Sequence, residues 1–454
     1  MRRRSAWLAI PVLALLAGCA AVDSFSSRAF NYNRQASSIQ EQQLLLNVMR
    51  AAYRAPLQFT TFTQITGQAS ISGTAAFTLP FNPSPSTFGH ADTAVPSATV
   101  SGNQAFTVAN LDTQEFYQGI LSPIPTTTID YYIEQGFPET VLLTLMASRL
   151  GFTINGEPPK SFYNDFYHTT FSQFEQALYG LVSLGLSTET VRNVESIGPP
   201  VTASELPELR ALSPLISSDT ALRRFTPGTD SDLTPAEQAQ LSREHTSEYF
   251  RLQTTSETSR FCFSPELRNF SNASKALTKA GVLQPGATIT GFANTLTTEA
   301  EQCGAKGSLR RKAEERKGYA APKPTLDLEV REPDGETRTI SLGLTYTVRS
   351  TEGVIYYLGE IARGELGIGV PHPRPPPLIT TALGNDQLFM VQHACDATSP
   401  EIAIGYADAR YCVGIDPSGA DRSAEVMQIV LQLIALNNSA KNLPAPSVLS
   451  IVSP

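Results

Sequence analysis

The sequence predicts an α+β protein, with two globular domains after a signal peptide and a tether. Segments with apolar residues at helical spacing recur along the chain, and alternating segments typical of strands lie between them. The two kinds of segment do not follow the regular order of a doubly wound sheet, and no internal repeat is present. Apolar residues make up 41% of the 454 positions, which is ordinary for a soluble globular protein.

The N-terminus has the pattern of a secretory signal. Three arginines at positions 2–4 precede an apolar run from Trp7 to Ala17, and small residues follow. The run is shorter than the roughly 20 apolar residues that a membrane-spanning helix requires. We therefore expect residues 1–18 to be a signal peptide and residues 19–32 to form a polar tether.

The end of this run, Leu16-Ala17-Gly18-Cys19, resembles the lipobox of bacterial lipoproteins. The resemblance implies that Cys19 receives a diacylglyceryl group and becomes the acylated N-terminus after cleavage. Stable anchoring then follows, because each buried CH₂ contributes about 0.8 kcal/mol and two or more chains are attached. Ala20 stands where an aspartate would mark inner-membrane retention, so we expect an outer-membrane location at the periplasmic face. The alternative is an ordinary signal with a chance cysteine, or an uncleaved anchor.

The predicted N-terminal α+β domain covers residues 33–304. It opens with an amphipathic helix at about 34–54, which Pro56 ends. Alternating segments then predict strands, and Asp112 with Glu115 resembles a capping box before the next helix. Further helices are expected through Phe116–Ile120, at about 128–135, from Pro138 through Met146, and after Thr170 up to a stop at Gly185. A β-rich segment is expected at 246–264.

Residues 305–324 are polar, charged and proline-bearing, and they are the predicted linker. The C-terminal α+β domain, 325–454, opens with a hairpin whose turn is Pro333-Asp334-Gly335. Ser350 is expected to cap the following helix. A stiff extended connector is expected at 371–377, strands at about 389–395, 402–407 and 410–413, and a last amphipathic helix at about 423–440.

Charge and cysteine content agree with export. Loss of the three arginines with the signal takes the net charge from −8 to −11, which disfavours nucleic acid as a partner. Four cysteines remain beyond Cys19, and an even number in an oxidising compartment predicts two disulfides. Three connectivities are possible. We favour Cys262–Cys303 and Cys395–Cys412 because each pair falls within one proposed domain; the spacings match no zinc pattern.

Common catalytic and nucleotide-binding motifs are absent from the sequence, so we predict no catalytic, cofactor-binding or metal-binding residue and no cofactor. Asp165 and His168 are three residues apart, a spacing that would suit a metal or general-base pair on a helix. We favour instead an aromatic packing segment with a polar histidine. Asp130, Glu134 and Glu139 are interpreted as solvated or capping carboxylates at helix ends.

Two alternating segments, at about 70–81 and 97–109, are each close to the 9–11 residues with which a β-strand crosses a bilayer. Their mixture of Ser, Thr, Gly and apolar residues is similar to that of transmembrane strands. A soluble sheet with one solvated face is the favoured interpretation, because several of the apolar members are only Gly or Ala.

Three groups of motifs carry a family resemblance: Gln42–Arg50 with Ala55–Phe59, Leu121–Pro125 with Gly136–Pro138, and Arg349–Gly359. Together they resemble a group of uncharacterised proteobacterial exported proteins, often lipoproteins. The resemblance spans most of the mature chain and implies class and location. It implies no mechanism and no site residues.

The sequence therefore leads to one principal expectation and two alternatives. We expect a non-enzymatic, periplasm-facing lipoprotein that acts as a binding or assembly component, held at the membrane by its lipid and partnered by other envelope proteins. The first alternative is a subunit of an oligomeric outer-membrane pore or export complex that donates a β-hairpin from residues 70–109. The second is a hydrolase that acts on envelope polymers.

Overall fold

A computed structural model of the chain describes residues 30, 33–74, 97–111, 113–202, 220–226, 234–243, 248–307, 309–310, 325–370, 373–374, 377–380, 385–393, 401–416 and 421–437. At 61–74 and 97–109 only the backbone is described. The predicted signal peptide, most of the tether, and both Cys19 and Cys395 lie outside these residues. The predicted class is confirmed: the chain combines helices with antiparallel sheets.

The described helices agree with most of the periodic segments of the sequence. They are α1 (33–52), α2 (Gln114–Leu121), α3 (Thr126–Glu134), α4 (Glu139–Met146), α5 (Phe171–Ser183), α6 (Pro235–Arg243), α7 (Phe270–Lys279), α8 (Leu296–Ala300), α9 (Thr351–Leu366) and α10 (Ser423–Asn437).

The described strands pair antiparallel throughout. They are β1 (Thr60–Thr74), β2 (Ser97–Asn110), β3 (Ala147–Ile154), β4 (Lys160–Tyr163), β5 (Leu186–Val201), β6 (Thr220–Phe225), β7 (Tyr249–Phe263), β8 (Thr288–Phe292), β9 (Thr325–Arg331), β10 (Thr337–Val348), β11 (Leu378–Thr380), β12 (Asn385–Gln387), β13 (Glu401–Tyr406) and β14 (Ala409–Gly414).

The largest sheet has five strands in the order β4-β3-β10-β9-β8. The predicted hairpin forms its β9–β10 pair, in which Leu328 lies opposite Ile340, and Gly335 has the positive φ that its turn requires. Leu326, Leu328 and Val330 alternate along β9 and are buried. Period-2 alternation therefore located this part of the core correctly.

A second sheet has the order β5-β7-β6 and contains the predicted β-rich segment as β7. Its central pairing joins Leu186 to Phe263 at one end and continues to Ile197 opposite Leu252. Helix α3 packs against both β5 and β7. This packing places side chains of α3 over the sheet.

The chain divides into two compact units at positions that differ from the predicted domains. One unit contains residues 1–122, 351–376 and 389–454, and the other contains 123–350 and 377–388. The predicted boundary at 305–324 does not separate them, because Leu342 of β10 pairs with Ile154 of β3 in one sheet. Pairing between distant segments, rather than the polar stretch, defines the second unit.

Two local predictions need correction. The N-cap of α2 is Thr113, whose hydroxyl accepts a hydrogen bond from the backbone N–H of Phe116, and Asp112 lies outside the described residues. Residues 389–393 do not form the predicted strand, and β12 ends at Gln387. By contrast, β13, β14 and α10 confirm the three remaining C-terminal elements.

Candidate functional site

The β1–β2 hairpin is the candidate interaction element of the first unit. The two strands are paired from Thr60 opposite Asn110 to Thr74 opposite Ser97, with one irregularity between Phe62 and Gln64. Among the described residues, the two strands form a sheet of their own. Each strand therefore has one edge that no other described strand covers.

The base of the hairpin is fixed to the core of its unit. Asn47 of α1 is buried; its side-chain Nδ2 donates to the carbonyl of Gln58 at 2.7 Å, and its Oδ1 accepts from the N–H of Gln58 at 3.0 Å. Beyond this two-point clamp, Phe59 is buried with its ring centroid 5.3 Å from that of Phe116. The N–H of Leu111 donates to the carbonyl of Phe59 at 2.9 Å and closes the base.

The register sorts the sequence of the hairpin onto two faces, because strand positions alternate between faces and opposed positions share one. One face contains apolar and small residues apart from one glutamine, namely Ile65, Gly67, Ala69, Ile71 and Gly73 opposite Phe106, Gln104, Gly102, Val100 and Ala98. The other face is polar except for one alanine, namely Gln64, Thr66, Gln68, Ser70, Ser72 and Thr74 opposite Thr107, Ala105, Asn103, Ser101, Thr99 and Ser97. A one-residue slip of register would mix the two sets.

The hairpin is also uncharged. Neither β1 nor β2 contains Asp, Glu, Lys, Arg or Pro. Over the whole chain 17% of residues are charged, so their absence from strands of 15 and 14 residues is a clear local departure. Natural edge strands are usually protected from further pairing by charges, prolines, bulges or shortness. Here only one irregularity, near the base, provides such protection.

Asp130 is the most fully enclosed carboxylate of α3, contrary to the prediction of a solvated or capping group. It accepts hydrogen bonds from the hydroxyls of Thr188 at 2.6 Å, Thr190 at 2.5 Å and Ser259 at 3.1 Å. These donors lie on β5 and β7, so the carboxylate ties the helix to the sheet. Both carboxylate oxygens therefore accept hydrogen bonds that stabilise the packing of α3 on the sheet.

Asp327 of β9 is a second buried carboxylate held by hydroxyls. Thr295 donates to it at 2.5 Å, Thr297 donates at 3.1 Å, and Ser341 donates a third hydrogen bond. Its own backbone N–H donates to Thr298 at 3.0 Å. This cluster fixes α8 against the five-stranded sheet.

Three half-buried glutamates have raised pKa values. Burial raises the pKa of Glu139, whose Oε1 accepts a hydrogen bond from Ser187 at 2.8 Å that acts in the opposite direction. Burial raises the pKa of Glu175 to about 7. Burial raises the pKa of Glu365 to about 8, with the N–H of Val391 lowering it and the charge of Asp421 raising it. Glu134 is exposed, as a solvated carboxylate should be, whereas Glu139 lies in the first turn of α4 but is half-buried.

The contacts of Asp165 and His168 are those of a turn. Asp165 accepts a hydrogen bond from the N–H of Tyr167 at 3.0 Å, and its carbonyl accepts one from the N–H of His168 at 2.9 Å. The Nδ1 of His168 contacts the Thr170 hydroxyl at 2.9 Å, and its ring lies 4.6 Å from that of Tyr163. These contacts agree with the interpretation of residues 162–168 as an aromatic packing segment with a polar histidine.

Three of the four cysteines beyond Cys19 lie among the described residues. The sulfur atoms of Cys262 and Cys303 lie 2.02 Å apart, at disulfide distance, in the pairing that the domain argument favoured. Beside this bond Arg260 forms ion pairs with Glu189 at 2.7 Å and Glu301 at 3.6 Å. Cys412 is also disulfide-bonded. Cys395 lies outside the described residues, so the second pairing stays a prediction, as does lipidation of Cys19.

Within the second unit an apolar cavity of about 20 Å³ lies between α3, α4, α5 and strands of both sheets, lined among others by Ile129, Leu150, Leu178, Phe261 and Leu344. This space is about large enough for one water molecule and is far below the roughly 300 Å³ of a metabolite pocket. In the described part of the chain no three His, Cys, Asp or Glu side chains group as metal ligands would. No described helix has the length and hydropathy that a membrane crossing requires.

Comparison with known proteins finds no match to any family model, to any curated protein or to any solved structure.

Proposed function

We propose that this chain is a lipid-anchored envelope protein of the outer membrane that faces the periplasm and acts as a non-enzymatic binding or assembly component. The lipobox-like sequence ending at Cys19 supports the anchor, and the cysteine content supports an oxidising compartment. Membership of the group of proteobacterial exported proteins named above is part of the same proposal.

The observation that carries the assembly role is the β1–β2 hairpin. It is uncharged, it has one apolar and one polar face, and it is clamped at its base to a packed core through Asn47. A two-stranded hairpin by itself is at best marginally stable in water. A long uncharged hairpin with one apolar face is stabilised most when that face packs against another surface.

The same observation favours a second candidate, a subunit of an oligomeric pore or export complex that donates this hairpin. At about 3.4 Å per residue, a 14-residue strand extends roughly 48 Å, whereas 9–11 tilted residues cross the hydrocarbon core. The sorted faces match the alternation of a strand with lipid on one side and water on the other. The abundance of Gly and Ala on the apolar face would make the lipid-facing band thin.

The lipid anchor is tested by metabolic labelling with radioactive palmitate in a Gram-negative host. We expect the wild-type protein and a tether control, Ser24→Ala, to incorporate label, and Cys19→Ala to lose it. A form in which a cleavable, non-lipidated export signal replaces residues 1–19 should appear in the soluble periplasmic fraction. Unlabelled wild-type protein, or membrane retention of this lipid-free form, would contradict the anchor.

Particle size after mild detergent extraction separates the two candidates. A monomer in the outer-membrane fraction supports a tethered binding module. A large and uniform oligomer that conducts ions in planar bilayers supports the pore subunit. Both measurements use the full chain, so that the base of the hairpin remains attached to its unit.

A further inference from the structure

The outer edges of the β1–β2 hairpin have the backbone groups and the composition that allow a further strand to pair with them. In an antiparallel pair, alternate N–H and C=O groups on each strand point away from the partner, where water or a further strand can hydrogen-bond to them. Along β1 and β2 no other described strand supplies one. The edges also lack the charges and prolines that prevent further pairing. Such an edge is a template for strand addition.

We propose that the partner of these edges is a second copy of this chain, with the outer edge of β2 in one copy pairing to the outer edge of β1 in the next. The two strands carry no charged residue, so the outer edge of one copy can pair with that of another without opposing like charges. This pairing specifies the partner in the proposed assembly role. It rests on that proposed function in one respect: all copies are anchored at the same membrane surface.

The common membrane anchor and the separation of apolar from polar residues on the two faces favour β2-to-β1 pairing over the other possible pairings of the outer edges. Antiparallel pairing of β1 with another β1 would place the globular units at opposite ends of the hairpins, which a common membrane surface forbids. Parallel pairing of two β1 strands would turn one hairpin over and set its polar face beside the apolar face of its neighbour. Only β2-to-β1 pairing keeps strand direction and both faces continuous. This contact is head-to-tail, so each copy can bind a further copy in the same way. The copies form a closed ring if the rotation between neighbours adds up to a full turn, and an open row otherwise.

Disulfide mapping between copies tests the inference on the full-length chain. One tagged copy carries Ser70→Cys in β1, and a second, differently tagged copy carries one cysteine in β2 on the same face. Because the shift between copies is not fixed in advance, the second position is varied among Ser97, Thr99, Ser101 and Asn103. Each copy has a single added cysteine, so the internal Ser70–Ser101 pair cannot form a bond. Opposed positions of adjacent strands lie within disulfide reach.

We expect mixed dimers on non-reducing gels for one or two neighbouring β2 positions, and loss of these bands on reduction. Copies that carry only Ser70→Cys should not crosslink to each other, and a wild-type pair gives the background. Dimers between two Ser70→Cys copies, or no mixed dimer at any of the four positions, would overturn the inference. Formation of the Cys262–Cys303 bond and an unchanged thermal transition verify that each variant is folded.

The lipid-free form separates this inference from the anchor. Mixed dimers in the anchored protein but not in the lipid-free form show that pairing needs the shared surface. Mixed dimers in both forms support the pairing even where palmitate labelling has failed. Labelled, membrane-bound protein without mixed dimers overturns the pairing and leaves the anchor intact.

Discussion

Gly359 of α9 and Ala51 of α1 meet at a point where the two helices leave no room for a side chain on α9. A β-carbon added at Gly359 would lie 2.5 Å from the β-carbon of Ala51 and 2.9 Å from the backbone nitrogen of Ala52. Because one of these contacts is with backbone, rotation of a side chain cannot relieve it. The glycine therefore sets how closely the two helices approach in the first unit.

Gly359→Ala is expected to destabilise the protein. Overpacking costs about 1–3 kcal/mol, and it opposes the gain of roughly 1 kcal/mol that alanine brings to a helix interior. Chemical denaturation measures the net loss. Gly405→Ala is the control, because nothing lies within 4 Å of the added carbon there. Equal stability of the Gly359 variant and wild type would show that the helices can move apart without cost.

The buried carboxyl of Glu365 predicts a loss of stability at alkaline pH. Its folded pKa of about 8 lies above its ordinary value of 4.5, so the folded state holds the proton more tightly than the unfolded state. Its stabilising contribution is complete below about pH 4.5 and disappears as the pH rises through about 8.

Glu365→Gln keeps the shape of the protonated acid without its ionisation. We expect unfolding free energy to fall more steeply between pH 5 and pH 9 in wild type than in the variant, as measured by urea denaturation at each pH. Glu360→Gln, on the same helix, controls for the loss of a carboxylate. Identical pH slopes in wild type and Glu365→Gln would show that this group does not govern the pH dependence.

The Cys262–Cys303 bond is expected to contribute about 4 kcal/mol by restricting the unfolded chain, given its sequence separation of 41 residues. The double variant Cys262→Ala/Cys303→Ala should show this loss in thermal or chemical unfolding. Reducing agent is a less specific comparison, because Cys412 is also disulfide-bonded. A double variant as stable as wild type would mean that the ion pairs of Arg260 hold this region without the bond.

Asp130→Ala removes the acceptor of three hydroxyl hydrogen bonds between α3 and its sheet. Buried groups left without a partner cost about 1–3 kcal/mol, so we expect a loss of this order. Glu134→Ala, on the same helix but exposed, should be close to neutral. Differential scanning calorimetry of the two variants gives the comparison. A similar small effect at both positions would refute a structural role for Asp130.

Arg349 caps the C-terminal end of α4. Its guanidinium donates to the carbonyls of Leu145 at 3.1 Å and Ala147 at 2.7 Å and to that of Asn164. Lysine lacks the planar fork that reaches several acceptors, so Arg349→Lys should lower the free energy of unfolding by about 1–3 kcal/mol. Arg331→Lys, at an exposed position, is the matched control. Equal unfolding curves for the two variants would contradict the capping role.

Sequence reasoning located most elements whose signal is local. Alternation identified β9, β10, β13 and β14, and helical spacing identified α1, α5, α9 and α10 within a few residues. These patterns reflect burial of one face of a single segment, which neighbouring residues determine. The prediction of a strand at 389–395 is wrong for the described residues 389–393, because a short apolar run does not distinguish a strand from a buried irregular segment.

Tertiary structure alone decided which segments meet. Because β10 pairs with β3, the two units are not divided at the polar stretch 305–324. The sequence could not predict this pairing, since many strands share the same alternation of apolar and polar residues. Burial of Asp130 beneath three hydroxyls, and the close approach at Gly359, depend on residues far along the chain. The composition of β1 and β2 was visible in the sequence. Their register, which separates apolar from polar positions across the hairpin, was set only when backbone hydrogen bonds joined the two strands.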